Sequence, residues 1–274
     1  QQYYSIDVAL GDLNGDGNLD AFVANANAAN NYIYIGDGTG NFPTVQQTNA
    51  AIGNNSRAVS LADFDQDGHL DAFVADHGND NHIYFGDGDA GGDGYFPDVI
   101  ARSGDPSKES RDVAVGDFNN DGNPDAFVAA WQVDAHNYIY LGDGNGDFSS
   151  IRKASDVQNT SRGVAVGDFD QDGNLDAFVA NGNTDGQRNQ IYLGDGEGNF
   201  TMQPDSASTT KYSFGVAVGH LNDDGYPDVL VTNNNFQKNR VYLGDGSGGF
   251  DPISFAASAS KDSQDAAIAD FNGQ

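Results

Sequence analysis

The chain has 274 residues, a formal net charge of −29 and no cysteine, which excludes disulfide and thiolate chemistry. The charge also disfavours nucleic acid and anionic membrane surfaces as partners. No apolar run approaches 18 residues, so no transmembrane helix is expected. The chain opens on two glutamines and its single methionine is Met202, so we expect a processed chain or a fragment that lacks its signal peptide.

An acidic nine-residue loop recurs along the chain. Its clearest copy runs from Asp63 to Asp71, with Asp65 and Asp67 between them and Gly68 at position 6. Calcium takes about six to eight oxygen ligands, and the EF-hand loop begins with the same spacing. The glycine permits the sharp turn that lets the odd positions converge. Loops start at residues 12, 63, 117, 168, 220 and 270, and five full copies in register make chance a poor explanation.

These loops predict four Ca²⁺ sites, with a fifth left open because imidazole is a poor calcium ligand and His220 holds its first position. Bound ions would be structural and would clip the first strand of each repeat to the second. The alternative is a set of Asx-rich turns without metal. The predicted ligands of the first four loops are Asp12, Asn14, Asp16, Asn18, Asp20, Asp63, Asp65, Asp67, His69, Asp71, Asp117, Asn119, Asp121, Asn123, Asp125, Asp168, Asp170, Asp172, Asn174 and Asp176. Those of the fifth are Asn222, Asp224, Tyr226 and Asp228, and position 7 contributes its backbone carbonyl.

Each repeat of about 50 residues contains four short apolar segments. The first precedes the acidic loop, the second follows it, the third runs into Gly-Asp-Gly, and the fourth follows a phenylalanine. This predicts an all-β fold, a β-propeller of four-stranded blades with five full repeats and a surplus sixth first strand. We expect one domain over 1–274, with the fourth strands at the outer edge. The repeats span about 5–55, 56–109, 110–160, 161–212 and 213–262, with a partial repeat at 263–274.

The run from Val164 to Ala180, followed by Ile191 to Phe200, resembles the FG-GAP/VCBS repeat family. The same repeat class builds the integrin α-subunit propeller and some fungal and bacterial lectins. The resemblance covers essentially the whole chain. It implies a calcium-binding propeller that works in extracellular adhesion or recognition, with the calcium ligands at the loop positions already named.

The loops between the second and third strands vary most, and they should lie on the face opposite the calcium loops. Variable loops on a rigid scaffold are where binding usually occurs, although polar loop filler is the alternative. Three histidines suggest a zinc site, but no helical or hairpin spacing supports it. They are His77, His82 and His136. The candidate ligand-binding residues are Trp131, His77, His136, Arg188 and Phe236.

Three arginines, Arg57, Arg111 and Arg162, each lie six residues before the first ligand of their loop. One interpretation is a cationic cluster that binds an acidic or sugar ligand, and the other is ion pairing with aspartates of a neighbouring blade.

Three N-x-[ST] sequons also occur. These sequons are glycosylation sites in a source that has the glycosylation machinery, although chance sequons are ordinary in an Asn-rich chain. They begin at Asn54, Asn159 and Asn199.

The sequence favours a secreted or cell-surface, calcium-stabilised propeller for adhesion to a glycan or an extracellular protein. The alternative is a structural subunit of an extracellular filament, a homopolymer in which the first strands at 7–11 and 266–270 compete for one slot between molecules. An enzyme is the third candidate. We expect no catalysis, since the sequence shows no Ser/His/Asp or Cys/His set and its only glutamates are Glu109 and Glu197.

Overall fold

A computed structural model describes residues 4–27, 29–48, 55–87, 96, 98–101, 106, 109–132, 135–158, 160–182, 187–204, 212–254 and 262–269. These residues form strands joined by turns and contain no helix, so none of them forms a helix long and apolar enough to cross a membrane. The all-β prediction is confirmed. The strands are β1 (Tyr4–Gly11), β2 (Asp20–Ala26), β3 (Tyr32–Ile35), β4 (Thr44–Gln47), β5 (Ser56–Ala62), β6 (Asp71–Asp76), β7 (His82–Phe85), β8 (Asp98–Ala101), β9 (Ser110–Gly116), β10 (Asp125–Ala130), β11 (Tyr138–Gly142), β12 (Phe148–Lys153), β13 (Ser161–Gly167), β14 (Asp176–Asn181), β15 (Gln190–Gly194), β16 (Phe200–Pro204), β17 (Ser213–Gly219), β18 (Asp228–Asn233), β19 (Arg240–Gly244) and β20 (Phe250–Ser254).

The strands make five four-stranded antiparallel sheets, one for each repeat. In every sheet the strands lie side by side in chain order, from β1-β2-β3-β4 to β17-β18-β19-β20. The fourth strand is therefore an edge strand, as predicted. Because neighbouring strands alternate in direction, the acidic loop lies at one end of its sheet. The variable loop between the second and third strands lies at the other end.

The register of the first two strands sets the acidic loop. Gly11 pairs with Asp20, Ala62 with Asp71, Gly167 with Asp176 and Gly219 with Asp228. The last aspartate of the loop therefore begins the second strand directly opposite the residue that ends the first. The loop is thus the hairpin connection itself, so an ion bound in it would hold the two strands together.

The chain divides into two compact units, and each is described by itself. In the first unit, β1 packs beside β5. The ring of Phe22 from β2 lies 5.6 Å from Tyr84 of β7 and 5.6 Å from Phe96, edge-on to the latter. Such pairs add about 0.5–1.5 kcal/mol beyond area burial. The units comprise 1–115, 123–128 and 140–151 for the first, and 116–122, 129–139 and 152–274 for the second.

The second unit repeats the same packing. Here β13 lies beside β17, and the ring of Phe178 from β14 is 5.4 Å from Tyr242 and 5.6 Å from Phe250. In both units, then, a phenylalanine of one second strand contacts a tyrosine and a phenylalanine of the next repeat. The second-strand phenylalanine recurs in the first four repeats, and Leu230 holds its position in the fifth.

The surplus first strand differs from its prediction. The described part of the sixth repeat, residues 262–269, has no strand hydrogen bonding. It still lies against β17, since a Cβ atom on Gly219 would be 2.8 Å from Cγ2 of Ile268. A Cβ atom on Gly167 of β13 would similarly be 3.4 Å from Cγ1 of Val218. The segment therefore follows the packing of a first strand without its pairing.

Candidate metal centres and recognition loops

The second loop brings three carboxylates together. One oxygen each from Asp63, Asp65 and Asp71 lie within 4.8 Å of one another. The loop wraps around Asp63, whose Oδ2 accepts from the Gly68 N–H at 2.9 Å and whose Oδ1 accepts from the Asp67 N–H at 3.1 Å. Gly68 has φ +93°, a conformation that disfavours any residue with a Cβ atom. These oxygens form the hard donor set that Ca²⁺ prefers.

The fourth loop has the same geometry and one further feature. Asp168, Asp170 and Asp176 also place oxygens within 4.8 Å of one another. The Oδ2 of Asp168 accepts from the Gly173 N–H at 3.1 Å, but its Oδ1 is buried with no hydrogen-bond partner among the described residues. A buried carboxylate oxygen without a partner is costly. A cation coordinated there would satisfy it, so the residues of this loop fit a metal ion.

The first and third loops keep the turn but carry fewer charges, because asparagine holds position 3. In the first, Asp12 accepts from the N–H groups of Asp16 at 3.0 Å and Gly17 at 2.9 Å. In the third, within residues 117–122, Asp117 accepts from the N–H of Gly122 at 2.9 Å. Amide oxygens are accepted calcium ligands, so asparagine at position 3 is compatible with a calcium site. The asparagines at position 3 are Asn14 and Asn119, and the aspartate at position 5 of the third loop is Asp121.

The position-9 aspartate has a second role that the sequence did not reveal. Asp71 accepts from the Phe64 N–H at 2.7 Å through Oδ2 and from the Gly86 N–H at 2.9 Å through Oδ1. It thus ties the loop to the end of β7. Burial raises the pKa of Asp71 to about 7 and that of Asp176 to about 6. All five position-9 aspartates are fully buried: Asp20, Asp71, Asp125, Asp176 and Asp228.

Position 7 contributes to the loops through its backbone and its side chain. The N–H of His69 donates to Asp67 at 2.8 Å, and those of Asn18 and Asn174 donate to Asp16 and Asp172 in the same way. Side chains at this position contact a neighbouring loop. Within the first unit Gln66 donates to Asn123 at 2.7 Å, and within the second Asn120 donates to Asn174 at 2.8 Å. Successive loops are therefore linked to one another.

The fifth loop closes differently. The Nδ1 atom of His220 is 3.0 Å from the backbone oxygen of Tyr226, and because a carbonyl only accepts, the ring must donate. That oxygen is the one predicted to bind calcium. Asn222 donates to Asp224 at 2.8 Å, and Asp228 still accepts from the Leu221 N–H at 2.6 Å. The fifth loop thus has a hydrogen bond between His220 and Tyr226 at the place where the other loops offer an ion site.

A buried Ser–Asp–His set in the first unit is another feature that sequence reasoning missed. Asp76 lies 2.5 Å from Nδ1 of His82 and accepts from the Ser56 hydroxyl at 2.9 Å. All three residues are at most 1% exposed. The serine bonds to the aspartate and not to the imidazole, so the geometry of a catalytic triad is absent. The set acts as a cross-strand polar link between β5, β6 and β7.

The predicted recognition residues divide between the units. His77 in the first unit is 2.8 Å from Glu109. In the second unit Phe236 is 70% exposed, Arg188 is exposed, and His136 is half-buried with no hydrogen-bond partner for Nδ1 among the described residues. The described residues contain no metal cluster that includes histidine, so zinc gains no support.

The three arginines differ in their surroundings. Burial lowers the pKa of Arg57, and burial followed by the nearby Arg57 charge lowers the pKa of Arg111. Arg162 instead stacks on aromatic rings, including that of Trp131 at 5.0 Å. The structure therefore brings together Trp131 and Arg162, two residues that the sequence had placed in separate groups.

One of the three sequons can be described. Asn199 is exposed, and its side chain donates to Asp195 at 2.9 Å and accepts from Arg152 at 3.1 Å. The other two sequons begin at Asn54 and Asn159, which lie outside the described residues. Glycosylation at all three stays a prediction.

Comparison with known proteins gives matches that begin at the acidic loops. The model of the FG-GAP-like repeat matches residues 12–74, 63–128, 117–179, 168–231 and 220–273. The chain belongs to the FG-GAP repeat family. Its FG-GAP repeats are 26% identical over 204 residues to cartilage acidic protein 1 of Xenopus tropicalis, and 30% identical over 129 residues to the human protein of that name. The alignments cover 68% and 46% of this chain but only 30% and 19% of those proteins, so the chain spans less than a third of these relatives.

Two solved structures share the fold of these FG-GAP repeats. The Vibrio cholerae biofilm matrix protein Bap1 superposes with a TM-score of 0.53 at 18% identity, over 94% of this chain and 41% of that one. A rhamnogalacturonan lyase of Bacillus licheniformis superposes with a TM-score of 0.55 at 13% identity, over 95% of this chain and 52% of that one. At such identities the likeness concerns the fold alone.

Proposed function

We propose that this chain is a calcium-stabilised β-propeller of FG-GAP blades that works, without catalysis, in adhesion or in recognition of a glycan or a protein outside the cell or at its surface. The observation that carries the proposal is the convergence of Asp168, Asp170 and Asp176, with one buried oxygen that lacks a hydrogen-bond partner. Such a group of like charges is costly unless a cation neutralises it.

Calcium fits these loops better than other common ions. The donors are carboxylate, amide and carbonyl oxygens on flexible turns, and magnesium demands a stricter octahedron. We place Ca²⁺ in the first four loops and none in the fifth, where His220 bonds to Tyr226. Each ion would hold the hairpin between the first and second strands. It would also offset part of the net charge of −29.

The radial arrangement is supported by packing that repeats from sheet to sheet. Neighbouring first strands lie side by side in each unit, and one aromatic contact recurs. Hairpin N–H groups add a link: Gly146 donates to the Phe64 carbonyl at 3.1 Å in the first unit, and Gly248 donates to the Phe169 carbonyl at 3.0 Å in the second. Blades related by one repeated contact build a propeller.

The recognition function is supported by the names of the relatives. Cartilage acidic protein 1 and a biofilm matrix protein bear names that place them in extracellular material.

The absence of catalysis is supported by the buried Ser56–Asp76–His82 set, whose serine does not contact the imidazole.

The test measures ion binding and adhesion on the same protein. Thermal unfolding in about 1 mM Ca²⁺, where extracellular calcium modules are occupied, should occur many degrees above unfolding in EDTA. Retention on arrays of matrix glycans and matrix proteins should require Ca²⁺. The double variant Asp63→Asn/Asp168→Asn removes the position-1 carboxylate that all four calcium loops share, and it should lose a large part of the thermal shift. An unchanged melting temperature in EDTA, or retention on neither array, would count against the proposal.

A second candidate, assembly into a filament by strand exchange, is favoured by the exposed face of β1. Tyr4, Val8 and Leu10 are 53%, 54% and 60% exposed, and the equivalent positions of β5 pack beside another strand. The segment at 262–269, which lies against β17, contains the apolar run Ala266–Ala269. Sedimentation at micromolar concentration tests this: polymers that Leu10→Lys abolishes would support it, and monomers with and without Ca²⁺ would defeat it.

A further inference from the structure

We infer that a pocket in the second unit binds a neutral sugar residue. The inference rests on the proposed recognition function and names its site and ligand class. The pocket has a volume of about 510 Å³, within the range of about 300–1,000 Å³ typical of small-molecule sites. It joins an aromatic cluster to a polar turn. Its lining residues are Arg162, Tyr212, Phe214, Asn234, Asn235 and Asp262.

The aromatic side of the pocket is built around one guanidinium. The Cζ atom of Arg162 lies 4.2 Å from the ring centre of Phe214 and 5.0 Å from that of Tyr212, and the ring of Trp131 is also 5.0 Å away. Tyr212 and Phe214 stack at 5.8 Å with 28° between their planes. The ring quadrupoles attract the guanidinium, so each such contact favours this arrangement. The guanidinium thus contacts two rings of one segment and a third, Trp131, from another repeat.

Arg162 acts as a positioning residue. Its Nε donates to the Gly182 carbonyl at 2.7 Å, and one Nη donates to the Tyr212 hydroxyl at 3.4 Å. These bonds fix the guanidinium, and the rings of Tyr212 and Phe214, which both line the pocket, form its aromatic wall. This wall offers a flat aromatic surface to the C–H face of a sugar ring.

The polar side of the pocket is a turn fixed at both ends. The Asn234 N–H donates to the Tyr212 carbonyl at 2.8 Å. At the other end, the Phe236 N–H donates to Asp262 at 2.9 Å. Asn235 and Phe236 have φ of 57° and 56°, and for a bulky residue such as phenylalanine this conformation is strained. Strain held by surrounding bonds is typical of pre-organised binding sites.

The chemistry of the lining selects a neutral, hydroxyl-rich ligand. The amides of Asn234 and Asn235 both donate and accept, while the Asp262 carboxylate accepts, so hydroxyl groups find partners of either kind. The same carboxylate and the net charge of −29 repel anionic sugars and phosphates. Arg162 repels cations. An uncharged ring with one apolar face and several hydroxyls satisfies all of these groups.

Trp131 makes the inference directly measurable. It is the single tryptophan of the chain and belongs to the Arg162 cluster, so its fluorescence reports on the pocket. The intact chain in Ca²⁺ buffer is titrated with neutral hexoses, N-acetylhexosamines and their disaccharides, and with the matching uronic acids. We expect a saturable change with at least one neutral sugar and an affinity at least about ten-fold weaker for its uronic acid.

The decisive variant is Asn235→Gly, because glycine keeps the positive φ and removes only the side-chain amide. We expect it to weaken sugar binding about ten-fold, since a hydrogen bond is lost. Asn27→Gly is the matched control, because Asn27 also has positive φ, 65°, and lies in the first unit. It should leave the affinity unchanged. A flat titration with every neutral sugar, tighter binding of uronic acids, or equal affinity in Asn235→Gly would overturn the inference.

Arrays separate this inference from the proposed function. If the wild type is retained on matrix glycans or proteins and Asn235→Gly is retained equally, the pocket assignment is wrong and the recognition proposal stands. If sugars bind saturably at Trp131 but the protein is retained on neither array, the pocket is supported and the adhesion proposal falls.

Discussion

The imidazole of His220 donates a hydrogen bond to the backbone oxygen of Tyr226, 3.0 Å away. In the other four loops aspartate holds the position of His220, and its carboxylate accepts N–H groups from within its own loop. The histidine therefore donates a hydrogen bond at the position where each aspartate accepts one. It donates to an oxygen that would otherwise face a cation, and so it satisfies the loop with no ion present.

The first prediction restores a metal site. His220→Asp removes the ring donor and supplies the missing carboxylate, so we expect one more bound Ca²⁺ per chain and a larger rise in melting temperature with calcium. Native mass spectrometry and calorimetric titration measure the stoichiometry. His220→Ala serves as the control, because it breaks the same bond without adding a ligand. An identical stoichiometry in wild type and His220→Asp would contradict the prediction.

The second prediction separates backbone strain from metal binding. Gly68 and Gly78 have φ of +93° and +81°, and a Cβ atom on either would meet nothing within 4 Å. Alanine at either position should therefore cost a similar amount, about 1–2 kcal/mol of unfolding free energy in EDTA. Only Gly68→Ala lies in a carboxylate loop, so it alone should weaken calcium binding. Urea unfolding with and without calcium checks both statements, and equal calcium responses in the two variants would refute the second.

The third prediction concerns pH in the absence of calcium. Burial raises the pKa of Asp71 from 3.8 to about 7 and that of Asp176 from 3.8 to about 6. A carboxyl with a raised folded-state pKa favours folding while protonated. Its contribution is complete below about pH 4 and is lost as the pH rises through about 6–7. In EDTA we therefore expect lower stability at pH 8 than at pH 5, by on the order of 2–3 kcal/mol after solvent screening.

Urea unfolding in EDTA across this pH range measures the effect. Asp71→Asn/Asp176→Asn should flatten the slope, since neither side chain then titrates. With saturating calcium the wild-type slope should reverse, because protons compete with the ion for the same oxygens. A double variant that keeps the wild-type slope in EDTA would assign the pH dependence to other groups.

The fourth prediction tests the recurring aromatic contact. Phe178 is fully buried against Tyr242 and Phe250, so Phe178→Ala should cost about 3–5 kcal/mol of unfolding free energy. Phe42 is 44% exposed, and Phe42→Ala should cost less than about 1 kcal/mol. Chemical denaturation in calcium compares the two. Equal losses would mean that the contact between the fourth and fifth sheets contributes little to stability.

Much of the fold was readable from local patterns. The aspartate spacing of each loop, its glycine at position 6 and the short apolar segments on either side predicted the strand order of every sheet, because hairpins join neighbouring strands of a meander. The sixth first strand was predicted from the same signal and did not form strand hydrogen bonds. Strand pairing requires a partner, and a run such as Ala267–Ala269 carries no information about whether one is present.

The sequence by itself determined the repeat, the turn conformation of each loop and the oxygen-rich donor sets, since each depends on residues within about nine positions of one another. Only the tertiary structure decided which side chains also contact groups outside their own loop or strand. The buried Asp71 accepts from the Gly86 N–H, and Arg162 contacts the rings of Trp131 and Phe214 from other repeats. The first contact joins two strands of one sheet, and the second joins residues from different repeats, so neither follows from the local pattern of a loop.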